Sequence, residues 1–290
     1  MKYIKVIGLI MIFSLIMCGC KKESEVEQEV VFNETQGDAT VVPTNDAQDV
    51  QESMAPSEAP SAQTSEPSDS TVALLDAKNS SNYTIVIDAG HQGKGNSEHE
   101  PIAPGATETK PKVSSGTQGV ASGVPEYKVT LQVSKKIESL LKSKGYNVIM
   151  VRDTHDVNIS NSERAKVAND ANADVFIRIH CNGSDNTSAK GALTMCQTKN
   201  NPYCGQLYSQ SRSLSQKLLN RICEATGANN KGILESDTMS GINWCTVPVS
   251  IIVMGFMSNK EEDMLLVNDA YQDKMAVGIC NGVIEYLNAK

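Results

Sequence analysis

Between Glu23 and Ala77 the 290-residue sequence has no basic residue, yet thirteen acidic ones stand there among Ser, Thr, Pro, Gln and Ala. Aromatics are nearly absent from the same tract. Such a segment cannot bury enough apolar area to offset the entropy of ordering, so residues 21–81 are expected to form a disordered acidic linker. Positive charge in excess is missing too. The formal net charge of -8 comes from the linker, because 21 acidic and 21 basic residues follow Lys78. A neutral domain of roughly 210 residues is ample for one sizeable core, and without a basic face nothing favours a nucleic-acid partner. A membrane-spanning run is lacking, since the N-terminal apolar stretch Val6 to Met17 is shorter than the roughly 20 residues a span needs. No CxxC pair supports a cysteine zinc site. Cys181, Cys196, Cys204, Cys223, Cys245 and Cys280 lack the dense spacing of a stapled miniprotein. Most read as core residues, with Cys196 and Cys204 open as a local pair. No internal repeat is present.

What the N-terminus does have is a targeting pattern. Lys2 and Lys5 precede the short apolar run, as in a signal segment. The run ends in Met17-Cys18-Gly19-Cys20, which resembles a bacterial lipoprotein signal, in which a cysteine after a small residue is lipidated. Gly19 makes Cys20 the better candidate for lipid attachment and Cys18 the weaker one. Residues 1–20 are then a lipoprotein signal peptide, and the mature chain is extracytoplasmic, held to the cell membrane by its acyl chains. An ordinary cleaved signal peptide is the alternative.

From Tyr83 onward, short apolar runs alternate with stretches of helical period. Tyr83 to Asp88, Tyr146 to Val151, Asp174 to His180, Gly191 to Cys196 and Val249 to Met254 read as strands. Val129, Val133, Ile137, Leu140 and Leu141 recur at helical spacing between Glu126 and Lys144. Ser160-Asn161-Ser162-Glu163 has capping-box form and opens a helix toward Ala171. Further helices are expected at 207–225, 260–267 and 271–287. The stretch 92–125 shows no period and reads as a long loop, a length that is often functional. The alternation predicts one catalytic-type α/β domain, residues 82–290, with a mostly parallel twisted sheet and helices on both faces.

Ligand sites in such sheets lie at strand ends. His91 falls just past the first strand, His180 at the end of another, and Glu126 at the start of the first long helix. Two imidazoles and a carboxylate are a recurrent catalytic zinc set. A histidine at a strand end is also commonly a hydrogen-bonded structural residue, and the residues by themselves leave both readings open.

A set of motifs decides further. Val86-Ile87-Asp88-Ala89-Gly90-His91, Glu126 at a helix start, Val151-Arg152-Asp153, Arg164 with Ala168-Asn169, Ala173 to Ile177, Ile179-His180-Cys181-Asn182 and Gly255-Phe256-Met257-Ser258-Asn259 follow one another in order. In this order they resemble the zinc-dependent N-acetylmuramoyl-L-alanine amidases of the type 3 family, over nearly the whole stretch from Tyr83 to Leu287. The resemblance implies an α/β fold, one zinc held by His91, Glu126 and His180, and hydrolysis of the lactyl-L-alanine amide of peptidoglycan. Asp88 and Asn182 are expected to orient His91 and His180 from behind. Arg152 and Arg164 are expected to organise the cleft edge through ion pairs.

The family also implies a glutamate general base two residues before the Gly-Phe pair. That position is Val253, which cannot accept a proton. A missing base typically costs about 10²–10⁴-fold in rate. Glu235 is the substitute to consider, with Asp237 beside it; Glu261 and Glu262 read as the first turn of a helix, where acids favour the dipole. Two functions therefore compete: an amidase, and a catalytically impaired zinc- and peptidoglycan-binding relative with a regulatory role. The need for an activating protein is left open. His99 and His155 read as exposed polar-loop residues, and Trp244 as either a glycan contact or a core residue.

Overall fold

The structure is a computed structural model that describes residues 72–290. The signal segment, Cys20 and the acidic tract up to residue 71 lie outside the described residues. The strands are β1 (Thr84–Ala89), β2 (Asn96–Pro101), β3 (Thr109–Val113), β4 (Asn147–Met150), β5 (Val175–Asn182), β6 (Ala192–Cys196), β7 (Asn230–Glu235) and β8 (Val249–Phe256). The helices are α1 (Glu126–Ser143), α2 (Asn161–Asp170), α3 (Tyr208–Thr226), α4 (Ser240–Asn243), α5 (Lys260–Leu266) and α6 (Asp269–Asn288).

Six strands form one sheet in the order β4-β1-β5-β8-β6-β7. All neighbouring pairs are parallel except β6 with β8, which is antiparallel. The predicted mostly parallel α/β sheet is therefore present, and the reversal at β6 turns its last two strands the other way. β1, β5 and β8 are buried along almost their whole length, which is why they read as continuous apolar runs instead of alternating ones. One face packs Ile85 and Ile87 of β1, Ile177, Ile179 and Cys181 of β5, and Ile252 and Met254 of β8 against α1, α3 and α6. The other face carries the alternate residues, including Arg178 and His180, beneath α2 and α4.

The helix signals hold up locally. Ser160 accepts from the Glu163 amide while Glu163 accepts from the Ser160 amide, so the capping box closes α2 as the sequence implied. Gly227, at φ 72, ends α3 in the left-handed conformation.

Two expectations change. The stretch 92–125 is not structureless: β2 and β3 form an antiparallel hairpin within it. β7 was not anticipated at all. Ahead of residue 82, Leu74, Leu75 and Ala77 pack on the core. There the Leu75 amide donates to Asn281 Oδ1 at 2.8 Å, and Asn281 Nδ2 donates to the Ala73 carbonyl at 2.9 Å. Cys196 and Cys204 are buried free thiols and form no pair. Among the described residues no helix is long and apolar enough to cross a membrane.

Candidate metal centre

β1 ends in Asp88-Ala89-Gly90, and the chain turns at His91 with φ 57, an uncommon left-handed conformation for a residue with a side chain. The turn aims the His91 ring across the end of the sheet. His180 comes from β5, the strand beside β1, and Glu126 is the first residue of α1. Their side chains converge. His91 Nε2 lies 3.1 Å from His180 Nδ1 and 3.2 Å from Glu126 Oε2, and His180 Nδ1 lies 3.3 Å from Glu126 Oε1. These are the only described residues that form such a cluster of three metal-ligating groups. His99 stays outside it, on the hairpin, with Nδ1 3.0 Å from Thr109 Oγ1.

The donor set suits a metal. His91 Nδ1 faces the Ser114 carbonyl at 3.0 Å, a contact that makes it the protonated nitrogen and leaves the Nε2 lone pair toward the cluster. The Glu126 carboxylate accepts from the Thr117 amide at 2.9 Å and from the Cys181 amide at 2.8 Å. Burial alone would raise its pKa, but the two histidines hold it well below the usual carboxylate range. His91 is pushed in both directions, down by burial and up by Glu126, and the net is upward. His180 goes down, chiefly through burial. One ionised carboxylate and a neutral imidazole with a free lone pair are what a divalent transition metal needs.

Asp88 does not touch either histidine ring. It is fully buried and pairs with two guanidinium groups, Arg164 Nη1 at 2.6 Å and Arg178 Nε at 2.9 Å. Its influence on His91 passes through backbone: Arg164 Nη2 donates to the His91 carbonyl at 3.1 Å. Among the described residues Arg152 makes no ion pair, contrary to expectation, and donates instead to the carbonyls of Ala89, Gly90 and Tyr127. Asn182 Nδ2 is buried without a hydrogen-bond partner.

Val253 is fully buried in β8. It is aligned with His180 on β5 and with Leu193 on β6, and residues aligned across a sheet project to the same side. Val253 thus presents a hydrocarbon surface on the same side as a candidate ligand. Glu235 is not brought there. It ends β7 level with Cys196, three residues along β6 from Leu193, so it sits about 10 Å along the strand direction and two strands away. Its carboxylate accepts from Tyr208 Oη at 2.8 Å and Arg212 Nε at 3.0 Å. Asp237 is engaged by Thr198 and Asn201. Glu262 braces the amides of Gly191 and Phe256, and Asp263 those of Ala121 and Ser122.

His155 is half-buried against the Tyr127 ring, not exposed, at a centroid distance of 5.1 Å. Trp244 is half-buried, and its Nε1 donates to the Pro101 carbonyl at the far end of the hairpin at 2.9 Å. Sequence reading missed Ser114, Thr117 and the Cys181 amide as supports of the cluster. All three act through backbone groups, which carry no residue-type signal.

Comparison with known proteins agrees with this architecture. The chain is 28% identical over 204 residues to the uncharacterized protein YqiI of Bacillus subtilis, covering 70% of this chain and 84% of that one. It superposes on the crystal structure of N-acetylmuramoyl-L-alanine amidase from Clostridium difficile 630 with a TM-score of 0.58 at 29% identity, covering 72% of this chain and 98% of that one. The Ami1 amidase structure from Mycobacterium smegmatis shares the fold, with a TM-score of 0.67 at 21% identity over 73% of this chain and 100% of that one. The profile of the Amidase_3 family, N-acetylmuramoyl-L-alanine amidase, matches residues 85–285, and the chain belongs to that family.

Proposed function

We propose that this protein is a zinc-dependent N-acetylmuramoyl-L-alanine amidase that cleaves the lactyl-L-alanine amide of peptidoglycan. The observation that carries the reading is the convergence of His91 Nε2, His180 Nδ1 and the Glu126 carboxylate at 3.1–3.3 Å on strand and helix ends. Zinc held by these three groups would polarise the amide carbonyl and acidify water. The chain's own work is to hold that donor set: the Ser114 carbonyl fixes the His91 tautomer, and the amides of Thr117 and Cys181 fix the carboxylate.

Proton transfer is where this chain differs from its family. A base must take a proton from water and deliver it to the leaving amine, a step worth about 10²–10⁴-fold. Val253 offers only hydrocarbon, and Glu235, Asp237, Glu262 and Asp263 are engaged elsewhere. Slow turnover is the consequence. The same residue supports a second reading, a zinc- and peptidoglycan-binding relative that regulates another hydrolase.

Dye release from labelled peptidoglycan separates the two. Slow release by the native protein that a chelator abolishes, and a rise of about 10²-fold or more in Val253→Glu but not in Val253→Gln, is expected for the amidase. Release that ignores the chelator would refute zinc dependence. Absence of release from both proteins, with zinc bound and peptidoglycan pelleting retained, would establish the binding relative. The proposal extends to the N-terminus: a lipid on Cys20 and an acidic linker hold the domain on the extracytoplasmic side of the cell membrane, and Cys20→Ala is expected to leave the membrane fraction.

A further inference from the structure

The hairpin β2–β3 hangs from the chain between two residues of the metal centre, leaving after His91 and returning to Ser114. Three contacts pin it along its length to neighbouring segments. Near its base Asn96 Nδ2 donates to Asn158 Oδ1 at 3.0 Å. Near its far end Trp244 Nε1 donates to the Pro101 carbonyl at 2.9 Å and Lys110 Nζ to the Thr238 carbonyl at 2.9 Å. Between them stands Glu100, the one buried residue of a strand whose other positions are exposed or half-buried. Its carboxylate accepts twice from one residue at the N-terminus of α2, from the Ser162 amide at 3.0 Å and the Ser162 hydroxyl at 2.5 Å.

The same end of α2 also holds the backbone of the metal centre. Arg164 donates to the carbonyls of Ala89 and His91, to Gln92 Oε1 and to the buried Asp88. The α2 terminus therefore grips His91 twice: its backbone directly through Arg164, and its ring indirectly through Glu100, the hairpin and the Ser114 carbonyl. Ser114 follows Val113, the last residue of β3, which is buried. Across the hairpin Glu100 pairs with Lys110, four residues along the chain from Ser114, whose carbonyl sets the His91 tautomer.

We propose that Glu100 is a positioning residue for the metal: it latches the hairpin to α2 so that the Ser114 carbonyl keeps His91 Nε2 turned toward the cluster. The inference rests on the zinc reading above. Residues behind a metal-bound histidine typically change metal affinity by about 10–100-fold when removed. Gln at position 100 can still accept from the Ser162 amide and donate to the Ser162 hydroxyl oxygen, so it retains the latch, whereas Ala does not.

The test is zinc affinity of the full chain, measured by competition with a chelating dye, with the ¹⁵N chemical shifts of the His91 ring as a second readout. Glu100→Ala is expected to bind zinc about 10–100-fold more weakly and to lose the Nδ1-protonated signature in the zinc-free protein. Glu100→Gln is expected to stay within about threefold of the native protein on both readouts, since the latch survives. Native-like affinity and tautomer in Glu100→Ala would overturn the proposal, as would an equal loss in Glu100→Gln. If Glu100→Ala does not fold, Ser162→Ala decides: a loss of several-fold supports the latch and no change refutes it. A native protein that binds no zinc would instead overturn the metal reading itself, which His91→Ala, expected to abolish binding, separates from failure of the latch alone.

Discussion

At the scale of single residues, the site depends on one close approach. A Cβ on Gly90 would lie 2.4 Å from His180 Cε1 and 2.6 Å from the Ile179 carbonyl oxygen. One of those atoms belongs to a candidate ligand and the other to strand backbone, so neither can yield cheaply. Gly90→Ala is expected to lower stability by about 1–3 kcal/mol and to weaken zinc binding, measured by urea unfolding and dye competition. Asp88 is the second such residue. Burial on its own would raise its pKa, but Arg164 and Arg178 outweigh burial and hold it far below the usual carboxylate range. A carboxylate depressed in the folded state contributes stability above its unfolded pKa of about 4, and that contribution is lost as pH falls toward the folded value. The native protein should therefore weaken progressively below about pH 4. Asp88→Asn, which leaves two buried guanidinium groups without their carboxylate, should cost about 3–5 kcal/mol at neutral pH, and its unfolding midpoint should be flatter with pH over the acid range. A variant that unfolds at the native midpoint would contradict this account of the ion triad.

At the scale of elements, α3 and α6 are held unusually close. A Cβ on Gly282 would stand 2.6 Å from Leu218 Cα and 3.0 Å from its amide nitrogen. Helix backbone cannot step aside, so Gly282→Ala must push the two helices apart and disturb the core formed by Leu214, Leu218, Ile279 and Val283. A loss of about 1–3 kcal/mol in urea unfolding is expected, although alanine is the better helix former by about 1 kcal/mol. Elements also show where the sequence was legible. The buried strands β1, β5 and β8 and the helices α1, α3 and α6 announce themselves because each buries a continuous run or a stripe at helical spacing. β2, Asn-Ser-Glu-His-Glu-Pro, buries only Glu100, and β7 buries none of its residues. Neither has an apolar pattern to read. Their strand character comes from backbone hydrogen bonds to β3 and β6, which residue type does not announce.

At the scale of the whole molecule, a metal held by His91, Glu126 and His180 would tie β1, β5 and α1 together at one end of the sheet. A ligand that binds only the folded state stabilises it by RT ln(1 + [L]/Kd), about 4 kcal/mol at a thousandfold excess over Kd. For a domain of this size that corresponds to a rise in Tm on the order of 10 °C. Stripping metal with a chelator is expected to lower Tm by that order, and added zinc to restore it. His91→Ala should show the lower Tm with or without zinc. An unchanged Tm on chelation of the native protein would tell against zinc as a structural tie.

The sequence alone determined the class of fold, the order of the main elements and the three candidate ligands, because burial periodicity and residue chemistry are local properties. It also determined that position 253 carries no base, since that is a matter of residue type. Which carboxylates could stand in for that base was decided only by the folded chain. The antiparallel turn of β6 carries Glu235 toward the opposite end of the sheet, and Glu262 and Asp263 are spent on backbone amides. The partners of Asp88 were equally beyond the sequence, as were the hairpin and its grip on His91. Each depends on groups brought together across 60 or more residues of chain, or on backbone carbonyls and amides that every residue possesses, and only the packing of α2 against the sheet selects among them.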